Sequence, residues 1–129
     1  MRLLLDTHVM LWFAMGDPRV APSTRALIED GRNEVAVSVV SVWEVAIKHR
    51  LGRGEPMGVN SAGYLRLIHE ARFELLNVLP RHVLAVERLA SVHGDPFDRL
   101  LVATAIADTW RLVSADRSVA SYGDVVIPA

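Results

Sequence analysis

Cysteine is absent from the 129 residues, so neither a disulfide framework nor a thiolate metal site exists, and a reducing, cytoplasmic setting is expected. Lysine is nearly absent: Lys48 stands alone against thirteen Arg. No apolar stretch reaches the roughly 18 residues of a membrane span, and the first residues lack a secretory signal pattern. Charge of one sign is missing as well. Fourteen Lys and Arg against fifteen Asp and Glu leave a net charge of −1, whereas a general nucleic-acid binder is usually basic. Two details soften that exclusion. Much of the negative charge falls in one proposed site, where bound cations would reverse its sign. Arg also suits bidentate phosphate contacts, although GC-rich coding gives the same Arg excess. The histidines, His8, His49, His69, His82 and His93, form no HxxxH or HExxH spacing. They read as surface or packing residues, with His8 and His93 the two that could reach the rim of a site.

What is present is an apolar chain, 51% hydrophobic, long enough for one domain over residues 1–129 that buries about two-thirds of its unfolded surface. Short apolar runs at Leu3–Leu5, Glu34–Ser38, Glu74–Leu79, Arg111–Val113 and Asp124–Ile127 predict strands. Helices are predicted at His8–Met15, Pro22–Gly31, Ser41–Leu51, Ser61–Arg72, Arg81–Val92 and Pro96–Thr109, with a helical turn at Arg117–Tyr122. Gly52–Gly58, with three Gly and a Pro, is the clear loop. The alternation implies an α/β fold, a mostly parallel central sheet with helices on both faces. His8–Met15 is apolar nearly all round, so it is either central or covered by another chain. Trp12, Phe13 and Trp43 read as core or interface residues rather than base-stacking platforms.

Four acids sit where apolar runs give way to a turn or helix start: Asp6, Glu44, Asp98 and Asp116. In a parallel α/β sheet the carboxyl ends of the strands face one crevice, so these residues can meet. Close carboxylates would repel by roughly 4 kcal/mol per pair at an effective dielectric near 20. A hard divalent cation removes that penalty, and Mg²⁺ and Mn²⁺ prefer all-oxygen sites. Each acid also has a structural reading. Asp6 could cap the helix opening at Thr7. Ser41-Val-Trp-Glu44 has the form of a capping box. Asp95 could cap the helix that starts at Pro96, leaving Asp98 in a first turn that favours an anion anyway. Asp116 could be a turn residue. Lys48, four residues after Glu44, suits a helix-surface ion pair, and Arg99 and Arg117 suit solvated faces. The competing reading for these three cations is phosphate positioning.

In this order the segments resemble the PIN-domain nucleases. Leu3-Leu-Leu-Asp-Thr-His is similar to the opening strand and first aspartate. Ser38-Val-Val-Ser-Val-Trp-Glu-Val-Ala-Ile-Lys is similar to the segment with the glutamate. Asp95-Pro-Phe-Asp-Arg-Leu-Leu-Val-Ala-Thr-Ala is the most specific match, and Leu112-Val-Ser-Ala-Asp is similar to the closing Ser/Thr-x-Asp element. At this length the resemblance implies the toxin half of a type II toxin–antitoxin pair of the VapBC kind: an endoribonuclease dependent on Mg²⁺ or Mn²⁺, dimeric and silenced by a cognate antitoxin. It assigns Asp6, Glu44, Asp98 and Asp116 to the acidic quartet. Asp95 is either a further ligand or a cap, and Thr7 and Ser114 are supporting polar positions.

The expected reaction is hydrolysis of an RNA phosphodiester by metal-activated water. Asp6 and Asp98 are the expected direct ligands, with Glu44 acting through a water or orienting the nucleophile and Asp116 completing a second position. Phosphotransfer domains are disfavoured, because Asp6 is followed by Thr7 and His8 rather than an Asp two residues on, and no Lys occurs late in the chain. The alternative from another class is a non-catalytic metal-binding or protein-interaction module. An antitoxin would cover His8–Met15 and Pro22–Leu27 and reach the acids with an Arg, while loops such as Gly52–Gly58 would select the RNA.

Overall fold

The strands are the short runs of Leu, Val and Ile. β1 (Arg2–Leu5), β2 (Glu34–Ser38), β3 (Glu74–Leu76), β4 (Arg111–Ser114) and β5 (Val126–Pro128) form one sheet in the order β3-β2-β1-β4-β5. The computed structural model describes residues 1–51, 57–90 and 94–129. Every pairing is parallel, and Leu5 lies opposite Val37 on one side and Val113 on the other. The helices are α1 (Thr7–Met15), α2 (Pro22–Glu29), α3 (Val39–Leu51), α4 (Ser61–Glu70), α5 (Pro80–Val86), α6 (Pro96–Asp108) and α7 (Arg117–Ala120).

A parallel sheet needs both faces covered, and successive side chains supply both. Leu3, Leu5, Val37 and Val113 enter a core with Val9 and Met10 of α1, Val45 of α3 and Tyr64 and Ile68 of α4. Leu4, Ala36 and Leu112 enter a second core with Leu101, Val102 and Ala105 of α6. The result is three layers, α/β/α. From β1 the chain steps outward through β2 to β3, then crosses to the other side of β1 for β4 and β5. Connections leave β1 and β4 in opposite directions, which opens a crevice at their carboxyl ends.

The apolar α1 is largely a core helix: Val9 and Met10 are fully buried, although Met15 is 65% exposed. Gly16 ends it with φ of 67°, a left-handed conformation that costs glycine nothing. Several predicted boundaries shift. α3 starts at Val39, directly off β2, because the Ser38 hydroxyl accepts the Val40 N–H at 3.0 Å and completes the turn within the strand end. β3 stops at Leu76 instead of Leu79, and α5 begins at Pro80, one residue before the expected Arg81. The last strand starts at Val126 rather than Asp124, because the Val126 N–H closes a turn on the Gly123 carbonyl at 3.0 Å. α5 ends at Val86, short of the expected Val92, and most of the Gly52–Gly58 loop, His93 and Ser91-Val92 lie outside the described residues. Among the described residues no helix is long and apolar enough to cross a membrane.

The far end of α6 is clamped to α5. Asp108 accepts from Arg81 Nε at 2.8 Å and Nη2 at 3.0 Å, and its Oδ2 lies 2.6 Å from His82 Nε2. His82 Nδ1 accepts the Leu79 N–H at 3.0 Å, so the ring proton sits on Nε2 and is given to Asp108. His82 is thus a buried packing histidine with both nitrogens satisfied. The Arg81 hydrogen bonds, outweighing burial and aided by His82, hold the Asp108 carboxyl down at about 2. Its stabilising contribution is therefore present above the ordinary carboxylate pKa near 3.8 and is lost as pH falls through about 2. Asp108→Asn should lower unfolding free energy by roughly 1 kcal/mol at pH 7, the low end for hydrogen bonds to charged groups because Arg81 is solvent-exposed. Urea titrations should find that loss shrinking between pH 4 and pH 2.

Candidate active site

The crevice at the carboxyl ends of β1 and β4 is a cavity of about 270 Å³ lined by Asp6, Thr7, His8, Trp12, Glu44, Lys48, Asp95, Asp98, Ala115 and Asp116. Five carboxylates face one ammonium. Each acid arrives by a local device that the sequence dictates. Asp6 follows the last residue of β1 and caps α1, accepting the Val9 N–H at 2.9 Å. Asp95 caps α6 through the Phe97 N–H at 2.8 Å, with Pro96 at the first helical position, and this sets Asp98 in the first turn. Asp116 follows β4 and caps α7 through the Ser118 N–H at 2.8 Å. Capping and cavity lining thus coincide in Asp6, Asp95 and Asp116, because a helix N-terminus welcomes an anion and aims it.

Glu44 is different. It sits inside α3 rather than at its start and is only 3% exposed. The capping box predicted for Ser41 and Glu44 does not form, since the helix has already begun at Val39. Instead Thr7 Oγ1 lies 2.5 Å from Glu44 Oε1 and 2.9 Å from Ser41 Oγ, and Lys48 Nζ donates to Glu44 Oε2. Behind them Tyr64, fully buried, donates its hydroxyl to the Thr7 carbonyl at 2.9 Å. Burial, with the Asp6 charge adding to it, raises the Tyr64 pKa well above the ordinary value, so the phenol stays a donor. Burial alone would lower the Lys48 pKa; the hydrogen bond and charge of Glu44, with the charges of Asp95 and Asp98, outweigh it and raise the pKa.

Asp6 carries the strain of the cluster. Burial raises its pKa from 3.8 to about 7, against hydrogen bonds from Ser114 and Val9 that lower it, with the Asp98 and Glu44 charges raising it further. Near neutral pH the site is short of positive charge. An all-carboxylate donor set fits a hard divalent cation. Among the described residues no three His or carboxylate side chains stand close enough to enclose an ion unaided. A small hard cation of the Mg²⁺ kind keeps several waters and takes one or two carboxylates directly.

Residues 3–125 match the PIN domain family. The chain belongs to that family. It is 32% identical over 121 residues to Ribonuclease VapC22 of Mycobacterium tuberculosis, an alignment covering 93% of this chain and 91% of that one. Its fold superposes on VapBC2 from Rickettsia felis, solved bound to a DNA fragment from the promoter, with TM-score 0.67 and 16% identity over 100% of this chain and 98% of that one. VapBC-1 from nontypeable Haemophilus influenzae gives TM-score 0.66 and 14% identity, covering 100% and 97%.

Within this PIN domain the structure brings Asp6, Glu44, Asp95, Asp98 and Asp116 to one cavity with Thr7, and places Ser114 beneath it, where its hydroxyl accepts the Asp116 N–H at 3.1 Å. Arg99 and Arg117 are not among the lining residues. Arg99 points back at α5, donating to the Val86 carbonyl at 3.4 Å and the Ala90 carbonyl at 3.5 Å, and Arg117 is exposed at the start of α7. His8 does reach the cavity wall, as does Trp12. Phe13 packs on Phe73 and Trp43, 55% exposed, on Phe97. Tyr64 and Ser41 escaped the sequence reading as site supports; an apolar-stripe Tyr and a helix-start Ser give no signal for it.

The raised Asp6 pKa fixes a sign. The group favours the fold most fully below pH 3.8, and that contribution is lost as pH rises through about 7. Asp6→Asn, which keeps an acceptor for Val9, should therefore be more stable than the parent at pH 8, by on the order of 2 kcal/mol, and little different at pH 3.5. Thermal unfolding at the two pH values measures it; a variant less stable at pH 8 would contradict the crowding.

Proposed function

We propose that this PIN domain, residues 1–129, is the toxin component of a type II toxin–antitoxin pair: an endoribonuclease that hydrolyses RNA phosphodiester bonds and requires Mg²⁺ or Mn²⁺. The convergence of five carboxylates, from the ends of β1 and β4, from α3 and from the start of α6, on one cavity is the observation that carries this reading. The extended likeness to Ribonuclease VapC22 supports it.

Asp6 and Asp98 would hold the ion directly, with Asp116 and Glu44 on its waters and Asp95 held to its capping role. When bound, a divalent ion makes water more acidic and neutralises charge on the phosphate. Glu44 is oriented by Thr7 and Lys48, so it can accept a proton from the attacking water. Lys48 supplies the cavity's ammonium and would offer its charge to the phosphate. Outside the cavity's wall of acids, the exposed end of α1 at Met15 and the neighbouring α2 would receive the antitoxin, whose Arg would neutralise the same cavity. We place the protein in the cytoplasm, as a homodimer or a toxin–antitoxin hetero-oligomer.

Purified protein, freed of any copurifying antitoxin, should cut a total-RNA pool with Mg²⁺ or Mn²⁺ and not with EDTA, and Asp6→Asn should cut nothing. RNA left intact by the parent under all three conditions would favour the non-catalytic module. Glu44→Gln keeps the Thr7 contact but loses the charge. It should lower kcat by roughly 10²-fold or more, the scale of a lost general base, with circular dichroism unchanged. Parental cleavage by that variant would assign Glu44 to structure.

A further inference from the structure

One wall of the cavity is not acidic. His8 and Trp12, one turn apart on α1, line it with their ring centroids 5.6 Å apart and planes inclined at 44°. Arg19 lies over the indole, its guanidinium carbon 4.3 Å from the ring centre. Arg19 is fixed in turn by Asp17, which accepts from Nε at 3.2 Å and Nη2 at 2.8 Å and from the Arg19 N–H at 2.9 Å. An exposed ion pair of this kind contributes little to stability. What it does achieve is to hold a planar cation, 48% exposed, over an aromatic ring at the cavity edge.

RNA approaching the acids meets repulsion at every phosphate. An ion at the carboxylates relieves this for the scissile phosphate alone, so neighbouring nucleotides need a favourable contact elsewhere. Stacked aromatic and guanidinium planes are the surfaces on which proteins receive unstacked bases. We propose that His8, Trp12 and Arg19 form a platform for one unpaired nucleobase next to the scissile phosphate, with the Arg19 charge facing that nucleotide's backbone. The inference rests on the ribonuclease reading and deepens it: the nucleotide on the platform is unpaired, since a base within a duplex would first have to be unpaired and unstacked at a cost in free energy. It also revises the expectation that Trp12 is a core or interface residue rather than a base-stacking platform.

The test uses a labelled oligoribonucleotide that the full-length protein cleaves, in single-stranded and duplex form. Trp12→Leu and Arg19→Gln should each raise KM about 10-fold, within the range for loss of one stacked base, with kcat within threefold of the parent. Trp12→Phe should restore most of the loss, and the duplex should resist cleavage. With 2-aminopurine beside the cut site, binding should quench fluorescence for Asp98→Asn and not for Asp98→Asn combined with Trp12→Leu. Arg19→Gln, at an exposed residue, keeps the test open should Trp12→Leu not fold. Parental KM in a folded Trp12→Leu or Arg19→Gln, equal cutting of the duplex, or an effect confined to antitoxin affinity would overturn the platform while leaving the nuclease standing. A parent that cuts no RNA would remove the ribonuclease reading itself.

Discussion

Burying a carboxylate at the end of the central strand is the constraint around which this molecule is organised. The Asp6 amide is tied to the Val113 carbonyl of β4 at 3.1 Å and its side chain to the first turn of α1. It cannot swing away from the acids that follow β4 or open α6. In water, such neighbours would separate; here the sheet register and two helix starts hold them together. The protein responds with a raised pKa at Asp6, an ammonium from Lys48 and hydroxyls from Ser114 and Thr7. Each is a partial remedy for a shortage of cations that a metal would meet directly.

How far the sequence revealed this depends on the kind of signal. Strand–acid junctions are local, so Asp6 and Asp116 could be read from the end of an apolar run, and the Asp95-Pro-Phe-Asp98 helix start from its own spacing. The layered fold followed from alternation, and β1 lies at its centre. What the sequence hid was tertiary. Whether Ser41 opens a helix depends on how Ser38 turns the strand, and α3 begins two residues early. That shift takes Glu44 from a helix start to a buried position where Thr7, distant in sequence, becomes its partner. Arg99 and Arg117 look like site cations because they follow acids, yet a helix turns by about 100° per residue, and adjacent side chains face different ways.

Glu44 also shows how an internal helix residue can be made dependable. Its support comes from three elements: Thr7 of α1, Lys48 of α3 itself and, one step removed, Tyr64 of α4. Among the described residues no buried side-chain polar atom lacks a partner, so the network is closed behind the carboxylate. A satisfied buried network of this kind holds geometry more firmly than any single contact. The three caps act in the same direction, because Asp6, Asp95 and Asp116 are each held by backbone amides that define where a helix begins.

The scarcity of lysine has a chemical consequence. Lys48 is the only side-chain primary amine in the chain, and it lines the cavity. An acylating reagent therefore has a single side-chain target, and that target reports on the site. While Glu44 holds the ammonium, its raised pKa keeps it charged and slow to react. Any occupant that draws Glu44 away, or covers the opening, changes the rate at which this one amine is modified. The protein carries within its own composition a built-in reporter of occupancy, readable by mass without a label.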